Sequence, residues 1–190
     1  MNANLLKGLR KSAGLSQTEL ALKSRTFQAN LSSIENANTD PGLSTIENYL
    51  SVLGYSLIPV PTTKPCVADY ALKISDAIAT GKESKAYRLF IQLNDNLASL
   101  EPGLRHALSL TPAPKTGDLR FDALIAALVD FQLSQTSLPT PLWVNEPSRK
   151  LPTRWIVDPY ETSELKLLKK TPQEFLRHNI LIDRSELLSV

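Results

Sequence analysis

The sequence predicts a mainly α-helical chain in two parts. The first is a domain of about five short helices with a short strand at its end. The second is a separate, mostly helical domain. Three observations predict this. Apolar residues recur at helical spacing between Leu5 and Leu53, in runs too short for one long helix. Helix-start and helix-stop residues punctuate those runs. The stretch "PVPTTKPC" then breaks the pattern with prolines and threonines before it resumes. The expected boundaries are 1–60, a linker over 61–66, and 67–190. With 190 residues and 42% hydrophobic content, the chain has enough apolar material for two small cores.

The elements of the first part follow in order. Leu5, Leu6 and Leu9 form one face of a helix that Gly14 ends. Ser16 and Glu19 have the spacing of a capping box, so a second helix starts at Gln17, with Leu20 and Ala21 inward and Leu15 stapling the entry. The pattern breaks at Arg25, Thr26 and Phe27, which predicts a tight turn. Leu31 and Ile34 mark a third helix, with Thr26 placed to cap it and Phe27 partly buried. Asp40, Pro41 and Gly42 make a turn. Ser44 and Glu47 form another box before a face of Ile46, Leu50 and Leu53.

The second and third helices thus make a helix-turn-helix. Its outward residues, Gln17, Gln28, Asn30, Ser32 and Ser33, are short, uncharged and rich in hydrogen-bonding groups. Base edges demand such a face: Gln pairs bidentately with adenine, and Ser or Ala suits close polar contact or a thymine methyl. Exposed Gln and Ser on an isolated short helix would read as solvated surface. The helix-turn-helix framework reverses that reading.

The segment "LRKSAGLSQTELALKSRTFQANLSSIENANTDPGLSTIENYLSVLGYSL" resembles the XRE family of helix-turn-helix DNA-binding domains, which includes phage repressors and many antitoxins. "GLSQTELA", "LSSIENA" and "LSVLGY" match in order and spacing, over about residues 4–60. By position, the resemblance implies that Gln17 caps the second helix onto a phosphate. Gln28, Ala29, Ser32 and Ser33 would face the major groove, with Asn30 at its edge. Asn36 and Asn38 would approach the DNA backbone, and Arg10, Lys11 and Arg25 would supply counterion-releasing charge. Lys11 and Arg25 read equally well as plain surface charges. The sequence departs from the family pattern at Arg25, where a small turn residue is usual, at Thr26, usually apolar, and at Phe27, usually a Ser-like cap.

Residues 1–60 carry five Lys/Arg and four Asp/Glu, a net charge of only +1. Such a weakly charged reader needs two copies for useful affinity. "GYSLIPVP" offers a route: Tyr55, Leu57, Ile58 and Val60 suit a short strand limited by Pro59 and Pro61. With no partner strand in its own chain, it would pair with a second subunit, as in some antitoxins of the family. The alternative is an extended linker. A two-fold homodimer would engage an inverted-repeat operator in double-stranded DNA, with half-sites one turn apart.

In the second part, helical patterns appear in "VADYALKISDAIATG", closed by Gly81, and in "ESKAYRLFIQLNDNLASL", "PGLRHALSL" and "GDLRFDALIAALVDFQLSQ". The last is the most apolar and belongs at the core. Thr171, Pro172 and Glu174 predict a helix start, and "ILIDRSELL" a short strand and turn. The Pro-rich segment between them carries Trp143, Arg149, Trp155 and Tyr160. These either seal the core or form a partner-docking surface, since Trp, Tyr and Arg are favoured interface anchors.

No phosphate loop, nucleophile elbow or zinc-protease motif appears. His106, His178 and Cys66 stand apart, so no metal site, cofactor or enzyme activity is expected. Asp118, Asp122 and Asp130 follow a helical pattern without forming a recognisable carboxylate pair. A lone thiol and the lack of apolar membrane or leader segments point to the cytoplasm, with no membrane partner. The sequence therefore reads as a DNA-binding transcriptional repressor. The leading role is the antitoxin of a toxin-antitoxin module, which neutralises a cognate toxin and represses its own operon. The alternatives are a regulator whose second domain senses a ligand, and an enzyme tethered to a DNA-binding domain.

Overall fold

The structure, a computed structural model, describes residues 3–158, 160 and 163–188. It is mainly helical and divides into two compact units, Met1–Pro61 and Thr62–Val190.

Among the described residues, the first unit holds four helices rather than about five: α1 (Ala3–Ser12), α2 (Gln17–Lys23), α3 (Gln28–Glu35) and α4 (Leu43–Val52). Leu6, Leu20, Ala21, Leu31, Ile34 and Tyr49 make its core. Leu9, Ile46 and Leu50 form a second patch, with Leu5, Leu53 and Tyr55 against it. Burying a side chain such as Leu20 or Leu31, both fully enclosed, contributes about 1.5–3 kcal/mol, so a few residues hold these short helices together.

Each of the four helices ends the same way. The chain turns through a left-handed residue, and the next amide reaches back to the last turn. After α1 and α4 that residue is Gly14 (φ 69°) or Gly54 (φ 82°). After α2 and α3 it is Arg25 (φ 55°) or Ala37 (φ 58°), where an L side chain is strained. The closing bonds are Leu15 N to Arg10 O (3.2 Å), Thr26 N to Ala21 O (2.9 Å), Asn38 N to Ser33 O (2.9 Å) and Tyr55 N to Leu50 O (2.8 Å).

Helix starts differ in part from expectation. The Ser16–Glu19 capping box forms, with Glu19 N donating to Ser16 Oγ at 3.1 Å and Ser16 N to a Glu19 carboxylate oxygen at 2.7 Å. Ser44 caps nothing, because α4 begins earlier, at Leu43, with Gly42 in the cap position. Thr26 does not cap α3. Its hydroxyl pairs with Tyr49 OH at 3.0 Å, and Phe27 takes the cap position with no side-chain bond. Phe27 is exposed rather than partly buried. Residues 55–60 form no regular element in the single chain, so the expected strand is not present there.

The second unit is built around α8 (Leu119–Ser134), in which every residue from Phe121 to Leu133 is buried. A helix with apolar residues on all sides needs cover on all sides. α5 (Val67–Ala79), α6 (Glu83–Ala98), α7 (Pro102–Ala107) and α10 (Gln173–Arg177) supply it, together with single-turn helices at Leu142–Asn145 and Pro147–Arg149. The strands β1 (Trp155–Ile156) and β2 (Ile180–Leu181) pair in parallel, on either side of α9 (Glu164–Lys170) and α10. Pro172, not Thr171, is the cap of α10; the Thr171 hydroxyl instead donates to Leu167 O and accepts from Ile182 N. Cys66 belongs to this unit: it precedes α5, and its backbone N–H donates to Asp69 at 3.0 Å.

The Pro-rich segment is inward rather than a free surface. Trp143 is 3% exposed and donates its indole N–H to Ser109 O at 3.0 Å. Arg149 is also 3% exposed, stacks on the Trp143 ring at 5.1 Å and donates to Ala113 O. Neither can anchor a partner, because both are already used to close the core. Trp155 is half-buried, and Tyr160 is exposed. The three acids of the α8 region serve separate local tasks. Asp118 caps the helix, Asp122 accepts from Thr116 N (2.7 Å), and Asp130 accepts from Arg177 (2.8 Å).

Candidate nucleic-acid interface

The site is the exposed side of α2 and α3. Leu20 and Ala21 of α2 and Leu31 and Ile34 of α3 face the core, so the helices present their other sides to solvent. Asn48 Nδ2 donates to Ser24 O at 2.7 Å, and the Thr26–Tyr49 bond lies beside it; together they fasten the turn to α4. The orientation of α3 is therefore set by packing and by two side-chain bonds.

A polar relay runs along the junction. Arg10 and Glu35 form a two-pronged ion pair, Nε to Oε1 at 2.6 Å and Nη2 to Oε2 at 2.8 Å. Arg10 Nη1 donates to Leu15 O at 2.7 Å. Glu35 also accepts from Gln17 Nε2 at 2.9 Å, and Gln17 Oε1 accepts from Gln28 Nε2 at 2.8 Å. One chain of bonds thus leads from a buried guanidinium to an exposed amide at the start of α3. Burial opposes charge on Glu35, but the bonds from Arg10 and Gln17 and the positive charge of Arg10 outweigh it. They hold its carboxyl below the usual carboxylate range.

This corrects one assignment. Arg10 is only 7% exposed and its donors are committed, so it braces the interface and is not a surface cation. Lys11 and Arg25 are exposed. Gln28, Ala29 and Asn30 are exposed at the first turn of α3, and Ser32 and Ser33 are half-exposed further along. Ser33 Oγ pairs with Thr39 Oγ1 at 2.6 Å, and Asn36 Nδ2 donates to Ser32 Oγ at 3.4 Å. Asn36 and Asn38 are exposed in the turn that follows. No side chain caps α3, so the amides of Gln28 and Ala29 at its start are not satisfied by a cap.

The sequence reading missed Glu35, Tyr49 and Thr39. A usable signal existed for the first: Glu35 lies four residues after Leu31 and one after Ile34, on the buried side of α3. Arg10 has the same relation to Leu6 and Leu9 on α1.

A small helical unit with an outward polar helix after a tight turn, braced from beneath, is a helix-turn-helix arrangement. Residues 6–59 match the family model described as Helix-turn-helix. That match supports an XRE-type domain and sequence-specific DNA binding in transcription regulation. No curated protein and no solved structure is significantly similar to the chain. Among the described residues, no helix is long and apolar enough to cross a membrane, and no group of His, Cys, Asp and Glu is arranged to hold a metal.

Proposed function

We propose that the chain is a transcriptional repressor that reads an operator through α3 and acts as a homodimer. The observation that carries this is the relay ending in Gln28. A side chain that must read a base works best when its rotamer is already limited, and Gln17 and Glu35 limit it from behind. Gln28, Ala29 and Ser32 would meet base edges. Asn30, Ser33, Asn36, Asn38, Lys11, Arg25 and the α3 amides would position the phosphates. Leu57 and Ile58 are 44% and 75% exposed, which favours their burial by a second copy along residues 55–60.

The antitoxin role requires a protein partner. Of the four residues expected to dock it, Trp143 and Arg149 are enclosed, which leaves Tyr160 and part of Trp155. A regulator with a ligand-binding second unit now has the better support, from the cleft described below. The repressor reading is tested with DNA from upstream of the gene for this chain. A retarded complex that resists scrambled competitor duplex is expected. Failure to form one at micromolar protein would overturn autoregulation.

A further inference from the structure

A cleft of about 630 Å³ opens in the second unit, lined by Glu83, Ser84, Tyr87, Phe121, Trp155, Val157, Asp158 and Glu186. Its size falls within the ordinary range of small-ligand sites. Among the described residues the lining holds the rings of Tyr87, Phe121 and Trp155 and the carboxylates of Glu83, Asp158 and Glu186, of which only Glu83 is paired with a cation, Arg120 at its edge. Aromatic faces and carboxylates together attract organic cations, the first through the ring quadrupole and the second through charge.

Two details point the same way. The Arg120 guanidinium sits over the Trp155 ring at 5.5 Å and pairs with Glu83 at 3.0 Å, so this wall already holds one planar cation from its own chain. The Tyr87 hydroxyl donates to Glu186 Oε2 at 2.5 Å. That bond fixes the carboxylate and leaves Oε1 outside it. Burial and the neighbouring carboxylates push the Tyr87 hydroxyl pKa up, so it stays a donor and adds no charge of its own. Asp158 accepts from Tyr160 N at 2.9 Å, which orients a second carboxylate.

We infer that this cleft binds a small organic cation, an ammonium or guanidinium compound, between Trp155 and Tyr87, with Asp158 and Glu186 as its counter-charges. The inference concerns the second unit alone and stands apart from DNA reading by α3.

The test is calorimetric titration of the full chain with agmatine, with N-butylurea as the neutral control and N-acetyl-argininamide as a stand-in for a protein side chain. Agmatine should bind saturably. Asp158→Asn/Glu186→Gln should weaken it by about tenfold or more, the usual cost of losing a hydrogen bond to a charged group, and the urea should not bind. Both replacements keep an acceptor for Tyr160 N and Tyr87 OH. If the double variant has an altered circular dichroism spectrum, Asp158→Asn alone serves, with the same direction expected. No saturation by agmatine up to about 10 mM, a range of negligible affinity, would overturn the site. So would unchanged affinity in the variant, or equal binding of the urea. Tighter binding of the argininamide than of agmatine would also overturn it, by making the occupant a protein side chain.

Discussion

Gln28 Nε2 donates to Gln17 Oε1 at 2.8 Å, joining the first residue of α3 to the first residue of α2. Gln17 is held in turn by Glu35. The two amides therefore act as one unit at the mouth of the helix-turn-helix. Gln28→Ala should weaken specific binding by about 1–3 kcal/mol, the usual worth of a bidentate base contact. Gln17→Ala should also weaken it, by releasing Gln28, although Gln17 need touch no base. A double-mutant cycle on operator DNA checks this. Strictly additive losses would mean that the two residues act independently.

The Arg10–Glu35 pair lies beneath that unit, and removing one partner leaves the other charge buried. Glu35→Ala should destabilise the first unit by about 3–5 kcal/mol, read by urea denaturation. Glu35 has a depressed carboxyl pKa in the fold. Its contribution is thus complete above the unfolded value of about 4.3 and is lost as pH falls through the lower folded value. Stability of this unit should decline below about pH 4, with a shallower decline in the Glu35→Gln variant. Identical pH profiles would remove Glu35 from the account.

Two turns carry strain that glycine would relieve. Ala37→Gly should stabilise the first unit by about 1 kcal/mol, because glycine tolerates φ 58° without the penalty paid by an L side chain. Arg25→Gly should act in the same direction at φ 55°, and if Arg25 contacts phosphate it should also lower the salt dependence of DNA binding. Thermal melting and a salt titration separate the two effects. A fall in melting temperature for both variants would contradict the strain argument.

The dimer prediction concerns residues 55–60. Leu57→Pro removes a backbone donor, so pairing along this segment should fail. Sedimentation should then show monomers, and operator binding at nanomolar protein should be lost. A fully dimeric variant would place the subunit contact elsewhere.

Much of the first unit was legible because its signals are local. The Ser16–Glu19 box, Gly14 and the spacing of Leu6, Leu9, Leu20, Leu31 and Ile46 each lie within a turn or two of what they specify. The misreadings came from contacts distant in sequence. Tyr49 draws the Thr26 hydroxyl away from capping across 23 positions. Glu35 meets Arg10 across 25. In the second unit, Trp143 bonds to Ser109 across 34 positions and Arg149 to Ala113 across 36, so their burial had no local sign. The cleft likewise gathers Glu83, Phe121, Trp155 and Glu186 from separate elements. On α3 helical spacing alone turns Ala29 away from Leu31 and Ile34, whereas Gln28 and Asn30 lie three and four residues before them and flank the buried face.

The central claim is that α3 reads base sequence, and selection from a randomised duplex pool tests it most directly. The full chain at physiological salt should enrich an inverted repeat with half-sites about one helical turn apart, roughly 10 base pairs. Repeating the selection with Gln28→Ala should relax the preference at one position in each half-site and leave the spacing unchanged. A pool that stays random, or the same motif with the same strength from both proteins, would contradict the account.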